Sequence, residues 1–78
     1  MTHEIRFRRL LRSMLARGIK PTPTVINRYL GRTTRRKINS INGREAQWRR
    51  DELIAAGWNE PYYAGVGSLV ANEWSPPS

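Results

Sequence analysis

The sequence predicts an all-α fold: a small bundle of three to four helices that contains a helix-turn-helix, followed by an extended C-terminal tail. Apolar residues recur at helical spacing over residues 1–58, and glycine or proline separates each run from the next. A chain of 78 residues has room for one domain with a modest core. We therefore divide it into a helical bundle, residues 1–58, and an acidic, aromatic tail, residues 59–78.

An amphipathic pattern predicts the first helix. The i, i+3, i+4, i+7, i+8 spacing of one buried stripe is occupied by Phe7, Leu10, Leu11, Met14 and Leu15. Gly18 follows as a C-terminal cap, with Ile19 placed to pack on the last turn. Such a basic helix can also lie on a membrane surface, but its polar face lacks Trp or a second Phe, so we expect the stripe to face a core. His3 precedes the stripe, where we expect a frayed chain end.

A second helix is predicted to start at Thr22 and Pro23. The threonine oxygen can accept a hydrogen bond from an unpaired amide, and proline fits the first helical position. The helix is expected to run to about Leu30. Its buried face is expected to hold Val25, Ile26, Tyr29 and Leu30. Asn27 and Arg28 are expected to point away from the core.

A third helix, residues 33–42, is predicted between Gly31 and Gly43, with Thr33 or Thr34 as its cap. At 100° per residue, its inner side holds Thr34, Ile38 and Ile41. Its outward side holds Arg32, Thr33, Arg36, Asn39 and Ser40. Arginine can grip guanine O6 and N7, asparagine can grip adenine N6 and N7, and serine or threonine can contact a base or a phosphate. The predicted helix is therefore suited to the major groove of DNA.

Residues 44–56 predict a fourth helix, with Gly57 at its end and Trp58 beyond it. We expect Ala46, Leu53 and Ile54 to cover the core, with Trp48 on a flank. A winged domain would place a β-hairpin after the third helix. A helix at this point favours a helical bundle instead.

Positive charge is confined to one part of the chain. All 14 Lys and Arg residues lie within residues 1–50, whose only acids are Glu4 and Glu45, whereas residues 51–78 hold four acids and no base. Together with the helix-turn-helix spacing, this asymmetry predicts double-stranded DNA as the partner, rather than a merely solvated surface. Base contacts are predicted for Arg32, Arg36, Asn39 and Ser40. Phosphate contacts are predicted for Thr22, Arg28, Thr33, Thr34, Arg35, Lys37, Arg44 and Arg49.

Two segments carry a family resemblance. "KPTPTVINRYLGRTTRRKINSI" resembles the "PT-x-x-x-V-x-x-x-LG-x-x-S" segment in the N-terminal domain of KfrA-type plasmid regulators, and Ile38 lies seven residues beyond Gly31 as in that pattern. "INGREAQWRRDELIAAGW" is similar to small helix-turn-helix proteins of bacteriophages. The resemblance covers about residues 10–58 and implies a transcriptional regulator with a specific operator. Thr33 or Thr34 replaces the family's capping serine. We expect no long coiled coil of the KfrA type within these 78 residues, so the resemblance does not imply that family's mode of oligomerisation.

Catalysis is not indicated by any motif. The chain has no cysteine and one histidine, so we expect no metal site and no cofactor. Asp51 and Glu52 are adjacent and would point in different directions on a helix, and no phosphate loop or nucleophile elbow occurs. No apolar run is long enough for a signal peptide or a membrane span. We expect a cytoplasmic, nucleoid-associated protein of a bacterial host cell that is not an enzyme and does not bind a membrane.

The tail and the function leave alternatives open. Residues 59–78 are interpreted as disordered, as folded back on the bundle, or as pairing with a second subunit in a homodimer or with a host protein. "GSLVANEW" is compatible with one short strand. The favoured function is that of a phage or plasmid transcriptional regulator, repressor or Cro-like, that occludes a promoter. The alternatives are an excisionase-like architectural factor that bends DNA, and a phage protein that inhibits a host protein.

Overall fold

The computed structural model describes residues 2–32, 38–60 and 74–77. Within these ranges the chain forms three helices and no strand: α1, His3–Ala16; α2, Pro23–Tyr29; and α3, Gly43–Ala55. Helix α1 packs against both of the others. The described residues therefore agree with the all-α class predicted from the sequence.

Helix α1 has the apolar stripe and the C-terminal cap that its sequence predicts. Phe7, Leu11 and Met14 are buried and form the centre of the core. Gly18 adopts a φ of 75°, which allows the Ile19 amide to donate to the Met14 carbonyl at 2.9 Å and close the last turn.

The expectation that the chain is frayed at His3 is wrong. Thr2 caps α1 by accepting from the Ile5 amide, so that His3 is the first residue of the helix. The His3 ring lies edge-on to the rings of Phe7 and Trp48, with centroid distances of 6.0 and 5.5 Å. The start of α1 is therefore held by the cap and by α3 together.

Helix α2 starts as predicted, and Val25, Ile26 and Leu30 of its predicted buried face pack in or against the core. Thr22 accepts from the Val25 amide, and Ile26 is buried in the core. Contrary to expectation, Asn27 is buried and Tyr29 is 50% exposed. Burial of the Asn27 amide is compatible with stability because its side chain bonds to backbone carbonyls of the following segment.

The predicted third helix is wrong over residues 38–42. Ile38 and Asn39 form a turn, and residues 40–42 are not helical. Gly43 begins α3 instead of ending a helix, because Asn42 and Glu45 form a reciprocal capping box. The Asn42 side chain accepts from the Glu45 amide at 2.8 Å, and the Glu45 carboxylate accepts from the Asn42 amide at 3.2 Å. The described residues therefore do not confirm the predicted helix-turn-helix, of whose second helix residues 33–37 lie outside them.

Helix α3 corresponds to the predicted fourth helix, and Gly57 follows it with a φ of 84°. Leu53 is buried as expected, and Trp48 packs on the core. The expectation that Ala46 and Ile54 cover the core is wrong, because both are exposed. The buried face of α3 is occupied largely by charged side chains, namely Glu45, Arg49 and Glu52.

The end of the described chain returns to the bundle. Asn59 and Ser75 exchange two backbone hydrogen bonds of 2.8 and 3.1 Å, and the Trp74 side chain is buried. Trp58, Trp74 and Leu15 line a surface cavity of about 490 Å³. Residues 74–77 therefore lie beside the end of α3 and near Leu15 of α1. Residues 61–73, which include most of the segment compatible with a strand, lie outside the described residues.

Candidate nucleic-acid interface

Glu45 is the centre of a buried polar cluster between α1, α2 and α3. Its side chain has no exposed surface. The Arg32 Nη1 and Nη2 atoms donate to its two carboxylate oxygen atoms at 2.9 and 2.6 Å, and His3 Nε2 lies 2.6 Å from Oε2. Hydrogen bonds from Arg32, with smaller contributions from His3 and the Asn42 amide, lower the pKa of Glu45 to about 2. Glu45 is therefore ionised near neutral pH.

Glu52 joins α1 to α3 in a similar way. Arg12 donates through Nε and Nη2 at 2.9 and 3.2 Å, and Arg8 Nη1 donates at 3.2 Å. The hydrogen bonds from Arg12, assisted by its charge and by Arg8, lower the pKa of Glu52. Arg8 also reaches Glu4 and Asp51. Two of the arginines on α1 thus face the acids of α3.

The carboxylates of the described residues are all engaged in ion pairs. The exposed Glu60 completes the set, since it accepts from Arg50 Nε and Nη2 at 2.9 and 3.2 Å. The paired acids are Glu4, Glu45, Asp51, Glu52 and Glu60. Their charges are therefore already balanced by nearby cations.

A second group of cations is exposed and makes no ion pair with any carboxylate of the described chain. The group consists of Arg6, Arg17, Lys20, Arg28 and Arg44, and we call it the unpaired basic set. At 100° per residue, Arg6 lies more than 100° around α1 from Arg8 and Arg12, and Arg17 is the residue that caps the C-terminal end of the helix. Within the described residues, the structure thus separates arginines that pair with carboxylates from cations that do not.

Asn39 and Ser40, which are predicted base contacts, lie exposed on the connection that leads to α3. The buried Asn27 fixes the backbone on both sides of Asn39, because its Nδ2 donates to the carbonyls of Ile38 and Ser40 at 2.7 and 2.8 Å. Two predicted phosphate contacts are also exposed: Arg28 in the last turn of α2 and Arg44 in the first turn of α3.

Three other predicted contacts have structural partners. Arg32 donates to Glu45 and, at 3.3 Å, to Asn27 Oδ1, so a base contact would compete with the ion pair. Arg49 is 7% exposed and its Nε donates to the Pro21 carbonyl at 2.7 Å, so it ties α3 to the start of α2 and is not a surface cation. The Thr22 hydroxyl oxygen caps α2.

Five further predicted contacts, Thr33, Thr34, Arg35, Arg36 and Lys37, lie outside the described residues. The sequence analysis did not predict that Asn27 and Glu45 are buried and hold this region together. The spacing of Asn42 and Glu45 is that of a capping box and could have indicated the start of α3. No comparable local motif indicates that Asn27 is buried, so its role could not be predicted from the residues around it.

No family model, no curated protein and no solved structure matches this chain. The resemblance to KfrA-type regulators therefore stays a prediction. Among the described residues, no helix is long and apolar enough to cross a membrane. The described residues also contain no group of three His, Cys, Asp or Glu side chains that could hold a metal ion.

Proposed function

We propose that the protein binds double-stranded DNA with sequence specificity and acts as a phage or plasmid transcriptional regulator, repressor or Cro-like in type. The observation that carries the proposal is the division of the cations. The described carboxylates are paired within the fold, and the unpaired basic set faces solvent. An uncompensated basic surface is what a polyanion requires.

Electrostatic attraction would come from two parts of the chain. The described part contributes the unpaired basic set, in which Arg28 and Arg44 flank the connection between α2 and α3. The connection itself contributes Arg35, Arg36 and Lys37 by sequence. Phosphate contacts of this kind fix the position of a protein on a duplex and make binding dependent on salt.

Sequence specificity would come from polar side chains on the same connection. Asn39 and Ser40 are exposed, and an asparagine amide can bond to adenine N6 and N7 in the major groove. Arg36 adds a side chain suited to guanine. Readout would thus use a turn at Asn39, in place of the helix through residue 42 that the sequence predicts.

Selection of binding sites from random duplex DNA tests the proposal. We expect enrichment of one motif, and its symmetry discriminates between modes of action. A palindromic site would indicate a dimeric regulator that occludes a promoter. Repeated, non-palindromic sites together with DNA bending would indicate an architectural factor. Absence of any enriched motif, with weak binding to all duplexes, would contradict the proposal and favour the inhibition of a host protein.

A further inference from the structure

Asn27 fixes the turn that contains Asn39 by donating to the backbone carbonyls on either side of Asn39. Nδ2 has two N–H groups, and the carbonyls that they reach belong to Ile38 and Ser40, the residues on either side of Asn39. The distances, 2.7 and 2.8 Å, are those of good hydrogen bonds. Asn39 thus projects outward from a backbone segment that is fixed on both sides.

Asn27 is itself fixed. It is 1% exposed, and its Oδ1 accepts from Arg32 at 3.3 Å while its carbonyl accepts from the Arg32 amide at 2.8 Å. Arg32 is in turn held by the buried carboxylate of Glu45. Hydrogen bonds therefore connect the turn at Asn39 through Asn27 and Arg32 to Glu45 in the first turn of α3.

We infer that Asn27 is a positioning residue for sequence recognition, and that it acts by holding Asn39 in the orientation that reads an adenine. This inference rests on the proposed DNA binding. A bidentate contact to a base requires an amide placed within a few tenths of an ångström, which a mobile turn does not supply. Asn27 cannot contact DNA itself, because its side chain is buried.

The change Asn27→Asp tests this with almost no change in size. Aspartate keeps the shape of the side chain, but it adds a negative charge and removes both N–H donors. The carbonyls of Ile38 and Ser40 therefore lose their partner. The matched control is Asn59→Asp, which adds the same charge at an exposed position whose backbone pairs with Ser75. Amide NMR shifts of Asn39 and Ile41, which follow the two carbonyls, report whether the turn has moved.

The readout is the ratio of the dissociation constants for a scrambled duplex and for the duplex selected by the wild-type protein. We expect Asn39→Ala and Asn27→Asp each to reduce this ratio by about 5- to 150-fold, with the salt dependence unchanged. The double variant should lose no more than Asn39→Ala alone, since Asn27 acts through Asn39. The control should retain the wild-type ratio.

Failure of the inference differs from failure of the proposed function. If the wild-type protein selects a site and Asn39→Ala loses specificity, but a folded Asn27→Asp keeps it, the positioning role is overturned. If the wild-type protein selects no site, DNA recognition itself is wrong. Should Asn27→Asp fail to fold, one glycine inserted after Asn39 displaces the turn with Asn27 intact. Retained specificity in that variant would equally overturn the inference.

Discussion

Arg32 and Glu45 form a two-pronged ion pair that joins the end of α2 to the first turn of α3, with N–O distances of 2.9 and 2.6 Å. The Glu45 carboxylate is fully buried, and it also completes the capping box of α3. A charge in that position is tolerable only because donors surround it. The pair therefore secures both ends of the connection that the proposed function uses.

The pH dependence of stability should report on Glu45. Its pKa in the folded protein, about 2, lies below the ordinary value of 4.5. The stabilisation is therefore present above about pH 4.5 and is lost as the pH falls through 2. The shift corresponds to on the order of 3 kcal/mol. We expect the free energy of unfolding in urea to decline over this range, and Glu45→Gln to be less stable near pH 7 with a shallower decline.

The exposed Glu4 supplies a control for this experiment. It pairs with Arg8 on the surface of α1, and such pairs contribute about 0–1 kcal/mol. Glu4→Gln should therefore stay close to the wild-type curve. A Glu45→Gln variant as stable as the wild-type protein at pH 7 would mean that the cluster around Glu45 contributes nothing to the fold.

Core packing predicts a contrast between two aliphatic residues. Leu11 has no exposed surface and lies at the centre of the core, whereas Ile54 on α3 is 46% exposed. Leu11→Ala should cost about 2–5 kcal/mol because it removes buried methyl groups and leaves a cavity. Ile54→Ala should change stability by about 0.5 kcal/mol or less. Thermal unfolding of both variants checks the assignment, and equal losses would contradict it.

Much of the helical framework could be predicted from residues 1–58. The stripe on α1, the cap at Thr22 and the end of α3 at Gly57 all follow from local rules of spacing and hydrogen bonding. These features depend on residues that are close in sequence. Local physical chemistry is therefore sufficient to place them.

The errors arose where local signals conflict. Asn42 and Gly43 can end one helix or begin another, since asparagine and glycine are common at both places. The choice depended on Glu45, whose carboxylate is stabilised by Arg32 and His3 from other parts of the chain.

The division of the arginines was likewise not predictable. Arg8 and Arg12 differ from Arg6 only in facing the acids of α3, which is a tertiary relationship. A helical wheel of α1 alone treats all three as polar surface. The sequence therefore predicts a basic half of the chain without indicating which of its cations pair with carboxylates of the fold.

The proposed interface predicts unequal effects for three exposed arginines. Arg28→Gln and Arg44→Gln each remove a cation from the unpaired basic set, whereas Arg50→Gln removes one that Glu60 already neutralises. If the first two residues contact phosphates, each change should make the slope of log K against log salt shallower by about 0.9. Arg50→Gln should leave the slope unchanged. Three equal effects would indicate diffuse attraction by net charge instead of a defined interface.

The salt dependence of the whole protein separates DNA binding from a function centred on the tail. Four to six phosphate contacts would give a slope of about −4 to −5 in log K against log salt. Residues 61–78 contain no base, so their deletion should leave this slope unchanged even where affinity falls. The same deletion removes Trp74 and the backbone pairing with Asn59, so thermal unfolding should show a loss of stability. Measurement below the unfolding transition keeps the two effects apart. A slope shallower than about −2 for the intact chain would mean that the unpaired basic set lies away from DNA, and would favour a protein partner.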